Sequence, residues 1–191
     1  CANRDEEMSN PVIEFYDGLS PEYRDNMGWD WDAAVRKEGA SLNRFIAKQV
    51  GHRDTYSLLD CSCGIGTQAI GLALQGYQVH ATDLSPGSID CASEEAARLG
   101  VSMTFGVADF RELGDTISDT FDVVLSCDNS IAHCLKDEDL NAALLSMKTR
   151  LKPGGLLLLS MRDYDALISD KPRFNNQHVH DKPDGRRVVF Q

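Results

Sequence analysis

Between about residue 55 and residue 165, short apolar runs alternate with longer stretches in which apolar residues recur at helical spacing. Several of the short runs are almost continuously hydrophobic, which is typical of parallel strands that helices cover on both faces. The runs read "YSLLDC", "YQVHATD", "VSMTFGVAD", "FDVVLSC" and "LLLLSMRDY". This alternation predicts an α/β fold with a doubly wound, mostly parallel sheet.

The helical stretches between these strands carry recognisable end signals. In "SPGSIDCASEEAARLG" we expect Ser85 as the N-cap, Pro86 as the first helical residue and Gly100 as the stop. A second helix is predicted over "DEDLNAALLSMKTRL", ended by Pro153 and the two glycines after it. The apolar stripe of this helix consists of Leu140, Leu144, Met147 and Leu151.

The pattern divides the chain into three parts. Residues 1–54 precede the first strand and include "WDWDAAVRKEGASLNRFIAKQVG", a helix pattern that Gly51 can stop. Residues 55–165 form the predicted α/β core, and residues 166–191 begin a further region. The apolar face of the N-terminal helix is predicted to comprise Ala34, Leu42, Phe45 and Ile46.

Charge and cysteine content restrict the function classes. With 19 Lys and Arg against 30 Asp and Glu, the net charge is −11, which disfavours a nucleic-acid partner. The longest strongly apolar run, Leu156–Leu159, is far too short to cross a bilayer. The sequence as given opens with no secretory signal, but it starts at Cys1 and not at Met, so a removed segment stays an alternative. The six cysteines fit no disulfide framework. We therefore expect a reduced, cytoplasmic protein with no membrane partner.

A glycine-rich turn follows the first strand. The pattern Gly64-x-Gly66-x-x-Ala69 matches the dinucleotide fingerprint, and Asp83 comes 19 residues after Gly64. Taken alone, this match fits a nicotinamide dinucleotide or a tight turn without any ligand. Asp60 immediately precedes the turn, and its carboxylate would repel an anion there, so the sequence favours a cationic or amine-bearing ligand.

The predicted strands all end in polar or glycine-rich residues. In doubly wound sheets, ligands bind beyond the carboxyl ends of the strands, near the point where the strand order reverses. The segments at these ends are Asp60–Gly66, Asp83, Asp109-Phe110, Cys127–His133 and Arg162–Asp165. We expect them to surround one site.

Five motifs, taken together, carry a resemblance to a known family. "LLDCSCGIGTQAIGLA", "VHATDLSPGSI", "VADFREL", "FDVVLSCDNSIAHC" and "LKPGGLLLLSMRDYD" resemble, in order and spacing, the motifs of class I S-adenosylmethionine-dependent methyltransferases. Within that superfamily, "DCSCGIG", "NSIAH" and "MRDYD" resemble the glycine N-methyltransferase and glycine/sarcosine methyltransferase group. The resemblance implies a Rossmann-like fold, with residues 1–54 as a helical lid over the site.

The resemblance also implies S-adenosyl-L-methionine as the cofactor, with S-adenosyl-L-homocysteine as the product. The methionine part would then lie against Ser62, Gly64 and Gly66, with Asp60 near its amino group. Most class I enzymes have glycine where Ser62 stands, whereas the glycine methyltransferases also carry a small non-glycine residue there. Two further residues are implied near the methionine part. Cys127 would lie beneath the cofactor, and Arg36 would bind the cofactor carboxylate.

The adenosine part would be held by the ends of the next two strands. The resemblance implies that Asp83, followed by Leu84, binds both ribose hydroxyls, that Asp109 accepts from the adenine amino group, and that Phe110 packs on the ring. A short carboxylate at a strand end is able to accept from two vicinal hydroxyls. Alternatives stay open, because Asp83 could simply start a loop, Asp109 could cap a helix beginning at "FREL", and Phe110 could belong to the core.

The implied acceptor is a small amino acid. Its carboxylate would pair with Arg162, because the planar guanidinium forms two parallel hydrogen bonds, and Asn129 would orient it. Tyr16 is a candidate catalytic residue and one of four aromatic residues of the proposed lid. Those four residues are Tyr16, Tyr23, Trp29 and Trp31. The alternatives are an ion pair of Arg162 with Asp163 or Asp165, a turn role for Asn129, and ordinary helix packing for the aromatic residues.

The function predicted on these grounds is S-adenosylmethionine-dependent N-methylation of glycine, sarcosine or a similar small amino acid. Methylation of another small molecule, a nucleotide-binding domain and an NAD-dependent oxidoreductase are the alternatives. No metal is expected, because the spacing of Cys61-x-Cys63 is wrong for a zinc site, and His133 is read as a structural hydrogen-bond partner rather than a proton acceptor. A homo-oligomer is compatible with the sequence.

The C-terminal region is expected to hold an incomplete set of strands. The class I sheet has seven strands, and five are accounted for before residue 166. "GRRVVFQ" reads as the beginning of another strand, whereas "NNQHVHDKPDG", with His178 and His180, reads as a loop. The glycine-type methyltransferases continue with antiparallel strands there, so the resemblance implies that residues 166–191 begin an antiparallel, substrate-capping region that continues beyond Gln191.

Overall fold

The computed structural model describes residues 10–26, 30–51, 55–170, 178–182 and 185–189. Two helices come first, strands and helices then alternate, and a strand pair ends the chain. The helices are α1 (Pro11–Asn26), α2 (Trp31–Val50), α3 (Thr67–Ala73), α4 (Pro86–Arg98), α5 (Asp137–Thr149) and α6 (Tyr164–Asp170). The strands are β1 (Ser57–Asp60), β2 (Gln78–Asp83), β3 (Thr104–Val107), β4 (Phe121–Ser126), β5 (Leu151–Leu159), β6 (His178–Lys182) and β7 (Gly185–Val189).

Strands β1 to β5 form one parallel sheet in the order β3-β2-β1-β4-β5. On β1, Leu58 lies opposite Val79 of β2 and Val123 of β4. From β1 the chain builds outward to β3, and it then returns to place β4 on the other side of β1. The predicted doubly wound α/β fold is thereby confirmed, and the strand order reverses between β1 and β4.

Successive residues of the central strands pack against opposite faces of the sheet, as the pleat requires. Leu58 and Val123 belong to one hydrophobic cluster, together with Ile46 of α2. The next residues, Leu59 and Val124, belong to a second cluster on the other face. This two-sided burial is why the strands read as continuous apolar runs in the sequence.

The structure corrects the prediction for the fifth strand. β5 spans Leu151–Leu159 and does not continue to Tyr164, where α6 begins. Pro153 does not end the preceding helix either, because α5 already stops at Thr149 and the proline lies inside β5. β5 is at the edge of this sheet, where a residue without a backbone N–H is tolerated.

The interpretation of the segment around His178 and His180 as a loop was wrong. Both residues lie in β6, which pairs with β7 as an antiparallel two-stranded sheet in which Val179 faces Val188. β-branched residues favour strands, and the backbone of this segment pairs with β7 from His178 to Lys182. The strand predicted at "GRRVVFQ" is confirmed for Gly185–Val189.

Helix α2 confirms the N-terminal helix pattern, and its buried face differs in part from the predicted one. Ile46 is buried and Leu42 packs against the core as predicted, but Phe45 is 49% exposed, and the buried stripe also includes Val35 and Gly39. The reason is a close helix crossing, since a Cβ atom added at Gly39 would lie 2.2 Å from the carbonyl oxygen of Gly71 in α3. Two glycines therefore let the α2 backbone approach the α3 backbone directly.

Helix α1 is attached to the start of α4, whose predicted N-cap Ser85 is confirmed. A carboxylate oxygen of Asp17 accepts from the backbone N–H of Gly87 at 3.0 Å and from the Ser85 hydroxyl. The hydroxyls of Ser20 and Ser88 lie 2.8 Å apart and share a hydrogen bond. These contacts hold α1 over the carboxyl ends of the strands.

Among the helices that the structure describes, none combines the length and the apolar character needed to cross a bilayer. The five cysteines of the described residues are unpaired. Cys1 lies outside the described residues.

Candidate functional site

A cavity of about 260 Å³ lies at the carboxyl ends of β1 to β4 and is covered by α1. The sheet supplies its floor through the residues that follow each strand, and α1 contributes Tyr16 and Ser20 from above. The predicted site residues that line it are Tyr16, Ser62, Gly64, Asp83, Leu84, Asp109, Phe110 and Cys127. The structure therefore brings the ends of four strands together around one space.

The glycine-rich turn forms one wall of the cavity. Gly64 and Gly66 have φ values of +51° and +90°, a left-handed conformation that costs glycine little. The backbone N–H of Gly64 donates to a carboxylate oxygen of Asp83 at 2.8 Å, which joins the ends of β1 and β2. Gly66 is the N-cap residue of α3 and lies behind the cavity surface.

Asp60 lies beneath this turn and is fully buried. One carboxylate oxygen accepts from the backbone N–H of Ser62 at 3.2 Å, and the other has no hydrogen-bond partner among the described residues. Burial raises the pKa of Asp60 to about 8. The hydrogen bond from Ser62 opposes this increase, and the charges of Asp83 and Asp128 add to it. An unsatisfied buried acceptor among other carboxylates fits a positively charged N–H group as its missing partner.

Asp83 is held by backbone donors at the end of β2. Its second oxygen accepts from the backbone N–H of Ser85 at 3.0 Å, in addition to the bond from Gly64. Burial raises the pKa of Asp83, and these backbone hydrogen bonds oppose that increase. The Leu84 backbone N–H also contributes a hydrogen bond. A carboxylate has about four acceptor sites in all, so these three donors do not saturate Asp83 and it can still accept from a ligand.

Asp109, at the end of β3, is engaged by its own neighbour. The Arg111 guanidinium contacts both carboxylate oxygens, with Nε 3.0 Å from each of them, and the Arg111 backbone N–H donates at 2.8 Å. Burial would raise the pKa of Asp109, but these hydrogen bonds outweigh it and the pKa is lowered. The predicted helix at "FREL" is only a 3₁₀ turn over Leu113–Asp115, and Asp109 stabilises the turn before it. Phe110 lines the cavity and also packs against the core.

A strained turn follows β4. Asp128 and Asn129 have φ values of +56° and +70°, which is uncommon for residues other than glycine. Their backbone N–H groups donate at 3.2 Å to the hydroxyl and the carbonyl oxygen of Ser160, respectively. The Asn129 side-chain oxygen accepts from the backbone N–H of Arg162 at 2.6 Å. This contact matches the turn role that the sequence left open for Asn129.

Cys127 begins this turn and is buried in the cavity wall. Burial, offset in part by a hydrogen bond involving Ser160, raises the pKa of its thiol to about 12. The side chain is therefore a neutral thiol at physiological pH.

Helix α1 closes the cavity through Tyr16. The Tyr16 hydroxyl lies 3.1 Å from Nε2 of His133, in the 3₁₀ turn Ser130–His133 after β4. Burial raises the pKa of Tyr16, and the negative charge of the nearby Asp83 raises it further, so the phenol keeps its proton. Trp31 is 3% exposed and donates from Nε1 to Thr67 at 3.2 Å, as a packed core residue. Trp29 and the side chain of Tyr23 lie outside the described residues.

Several predicted site residues do not line the cavity. Arg36 is exposed on α2, and Asp60 and Gly66 lie behind the wall. Asn129 belongs to the turn after β4 and Arg162 follows β5, and neither lines the cavity. Among the described residues, no group of three or more His, Cys, Asp or Glu side chains is arranged to hold a metal ion.

Gln68 and Asp128 also line the cavity and were not predicted from the sequence. Each stands inside a motif that was quoted for other residues. The Asp-Asn pair between a strand and a helix is itself a turn signal, because both residues tolerate the left-handed conformation. The bond between Gln68 and Asp128 joins residues 60 positions apart, and no local pattern indicates it.

Comparisons with known proteins agree with this architecture. A family model described as "Methyltransferase domain" matches residues 58–155. A glycine/sarcosine N-methyltransferase of Parasynechococcus marenigrum (strain WH8102) is 34% identical over 139 residues, which cover 73% of this chain and 48% of that protein. A cypemycin N-terminal methyltransferase of a Streptomyces species is 32% identical over 158 residues, which cover 82% of this chain and 59% of that protein. The chain thus spans about half the length of the curated relatives it matches.

Solved structures show the same fold. An S-adenosylmethionine-dependent methyltransferase from Clostridium acetobutylicum ATCC 824 has a TM-score of 0.66 and 17% sequence identity, with 95% of this chain and 80% of that chain covered. The family match covers more than half of the 191 residues and includes the glycine-rich turn and the ends of β2, β3 and β4. The chain belongs to the class I S-adenosylmethionine-dependent methyltransferases.

Proposed function

We propose that the protein transfers a methyl group from S-adenosylmethionine to the amino nitrogen of glycine, sarcosine or a similar small amino acid. The observation that carries this proposal is the convergence of Asp83, Asp109 and Asp128, from three different strand ends, on one cavity beside the glycine-rich turn. Such a cavity suits a ligand that bears hydroxyls, amino groups and positive charge. The relative from Parasynechococcus, which is named for glycine and sarcosine, supports the choice of acceptor.

The adenosine part of the cofactor is proposed to lie along the ends of β2 and β3. Asp83 would accept from the ribose hydroxyls with the acceptor sites that its backbone donors leave open, and Leu84 would pack beside them. Asp109 would accept from the adenine amino group in place of one of its bonds from Arg111, and Phe110 would contact the ring. Since Arg111 keeps Asp109 ionised, this carboxylate is an acceptor over the whole physiological pH range.

The methionine part is proposed to lie against the β1 and β4 turns. Ser62, Gly64 and Cys127 would contact it, and Gly66 shapes the turn from behind. The unsatisfied oxygen of Asp60 would take up the ligand amino group. Arg36 is the proposed partner of the ligand carboxylate, which requires its long side chain to reach the cavity from the exposed face of α2. When bound, the cofactor supplies a methyl group on a positively charged sulfur.

On the acceptor side, three residues have proposed roles. Arg162 would hold the acceptor carboxylate through its planar guanidinium. Asn129 would support this arrangement through its bond to the Arg162 backbone. Tyr16 keeps its proton, so it would donate to the acceptor rather than remove a proton from it, and α1 would exclude water. Orienting a neutral amine in this way can supply roughly 7–11 kcal/mol of barrier lowering without a general base.

Label transfer from methyl-labelled S-adenosylmethionine tests the proposal. We expect label in glycine and sarcosine, and none in hydroxyl or thiol acceptors of similar size. A peptide with a free N-terminus should be included, because a Streptomyces relative is named an N-terminal methyltransferase. Transfer to the peptide with none to glycine would contradict the small amino acid as acceptor. Tight binding of NAD without binding of S-adenosylhomocysteine would contradict the cofactor.

Replacing Arg162 tests the carboxylate clamp. Because a hydrogen bond to a charged group contributes about 1.5–3 kcal/mol, Arg162→Ala should raise KM for glycine about 10- to 100-fold. The affinity for S-adenosylhomocysteine should stay close to that of the wild type. Arg44→Ala, on an exposed part of α2, is the matched control. If KM for glycine were unchanged in Arg162→Ala, Arg162 would not bind the acceptor carboxylate. The small-molecule acceptor is thus open to direct measurement, and the cytoplasmic location expected from the sequence stays a prediction.

A further inference from the structure

Gln68 connects three elements around the cavity. It is the second residue of α3, is only 7% exposed and lines the cavity directly after the glycine-rich turn. Its Nε2 donates to Glu38 of α2 at 2.8 Å and to Asp128, after β4, at 2.6 Å. Both hydrogens of one amide group are therefore used to hold two carboxylates.

The two carboxylates repel each other in the absence of this donor. Burial is the main cause that raises the pKa of Glu38, and the charge of Asp128 raises it further. The hydrogen bond from Gln68 and the charge of Lys37 oppose that increase. The amide supplies donors to both carboxylates, and hydrogen bonds to charged groups are stronger than those between neutral groups. Loss of the amide N–H groups would leave Glu38 and Asp128 close together without a shared donor.

The geometry of the acceptor side depends on Asp128. This residue and Asn129 are held in left-handed conformations, which are less favourable for them than for glycine. Asn129 in turn accepts from the backbone N–H of Arg162. The side chain of Asp128 is held by Gln68, so one amide supports the turn that carries Asn129, and Asn129 in turn contacts the segment of Arg162 after β5.

We propose that Gln68 is a positioning residue for methyl transfer, which fixes the acceptor side of the cavity relative to the cofactor side by tying Asp128 to α2 and α3. This role rests on the proposed function. Gln68 follows the cofactor turn by two residues, and its amide reaches the end of β4. The distance and angle between the two bound reactants are therefore set in part by this side chain, although Gln68 itself transfers no group.

The first test replaces the donor by an acceptor of the same shape. In Gln68→Glu, we expect kcat/KM for the amino-acid acceptor to fall on the order of 100-fold at pH 8, as a displacement of about 1 Å can cause. The affinity for S-adenosylhomocysteine should not fall, because an added negative charge does not repel the ligand amino group. Gln75→Glu makes the same change at an exposed position just after α3 and should leave both values unchanged.

The pH profile of Gln68→Glu separates positioning from general damage. As the pH is lowered, the introduced carboxyl group among Glu38 and Asp128 takes up a proton and again offers an O–H donor. The deficit in kcat/KM relative to the wild type should therefore shrink between pH 8 and pH 6, whereas Gln75→Glu should parallel the wild type. A deficit that is equal at all pH values, or wild-type kcat/KM at pH 8, would overturn the proposal.

If Gln68→Glu does not fold, two variants of Asp128 test the positioning role of Gln68 instead. Asp128→Asn keeps an oxygen that accepts from Gln68 and tolerates the left-handed conformation. Asp128→Gly is better suited to that conformation but loses the acceptor. Positioning predicts that the glycine variant loses at least tenfold more kcat/KM than the asparagine variant, although it relieves backbone strain. Equal effects, or a milder effect of glycine, would contradict the role of Gln68.

Amide hydrogen exchange gives a readout that does not depend on the acceptor. With S-adenosylhomocysteine bound, the segment 127–133 should exchange faster in Gln68→Glu than in Gln75→Glu. If the wild type does not methylate glycine, the proposed acceptor fails, and this exchange comparison still tests Gln68. Equal exchange in the two variants would overturn the positioning role, whatever the acceptor is.

Discussion

The two sides of the cavity are built in different ways. At the ends of β1 and β2, the left-handed positions are glycines, and Asp83 takes its backbone donors from its own motif and the neighbouring turn. At the end of β4, the left-handed positions are Asp128 and Asn129. Their side chains are held by residues from α3 and from beyond β5.

This difference has an energetic reason. Glycine adopts the left-handed conformation at almost no cost, so the β1 turn needs little outside support. Asp128 and Asn129 pay for the same conformation and depend on tertiary contacts to keep it. We therefore expect the cofactor side to be sensitive to changes within its own motifs, and the acceptor side to be sensitive to changes far away in the sequence.

The largest expected effect concerns the cofactor side. Asp83→Ala removes the proposed acceptor of two ribose hydroxyls and the anchor of the Gly64 backbone. Two lost hydrogen bonds to a charged group should weaken binding of S-adenosylhomocysteine on the order of 100-fold, measured by calorimetry. Asp122→Ala is the matched control, because Asp122 accepts from the Ser57 backbone at the opposite ends of the strands. Equal loss of affinity in both variants would indicate general destabilisation instead of a cofactor contact.

A second effect concerns the support of the acceptor side. In Gly39→Ala, the added Cβ atom would lie 2.2 Å from the Gly71 carbonyl oxygen, so α2 must move away from α3. The free energy of unfolding should fall by about 1–3 kcal/mol, and kcat/KM should fall with it because α2 carries Glu38. In Gly18→Ala no atom lies within 4 Å of the added group. That variant should gain about 0.5–1 kcal/mol in urea unfolding. If Gly39→Ala and Gly18→Ala changed the free energy of unfolding in the same direction, the tight crossing of α2 and α3 would be contradicted.

The third and smallest effect is a pH dependence that arises from Asp60. In the free protein its pKa is about 8, so it carries a proton at neutral pH. A ligand amino group beside it favours the ionised form, so the affinity for S-adenosylhomocysteine should rise with pH up to about 8, by at most tenfold per pH unit. Asp60→Asn should abolish this dependence. If the affinity of the wild type for S-adenosylhomocysteine were constant between pH 6 and 8, Asp60 would not contact the ligand amino group.

The same proton affects folding stability with the opposite trend. Between about pH 4 and pH 8 the folded protein holds a proton on Asp60 that the unfolded chain has lost. The free energy of unfolding should therefore decrease as the pH rises through this range. Comparing urea unfolding of the wild type and Asp60→Asn at several pH values isolates this contribution.

Much of the fold followed from local patterns. The order of strands and helices, the N-cap Ser85 and the glycine turn at Gly64 were predictable, because each depends on residues within a few positions of one another. The predicted extension of β5 to Tyr164 and the predicted burial of Phe45 were wrong for a common reason. Strand ends and buried helix faces depend on what packs against them, and here Gly39, not a large apolar residue, meets the neighbouring helix.

The sequence by itself determined the sheet, the glycine-rich turn after β1, and the carboxylates at the ends of β2 and β3, since strand patterns and turn residues act over short distances. Only the tertiary structure decided that Asp60 lies behind the cavity wall with an unsatisfied oxygen, and that Gln68 bridges Glu38 and Asp128. The bridge joins residues 30 and 60 positions apart in the chain, and the burial of Asp60 likewise depends on packing between distant segments. Both arise only when the fold brings together side chains that no local pattern connects.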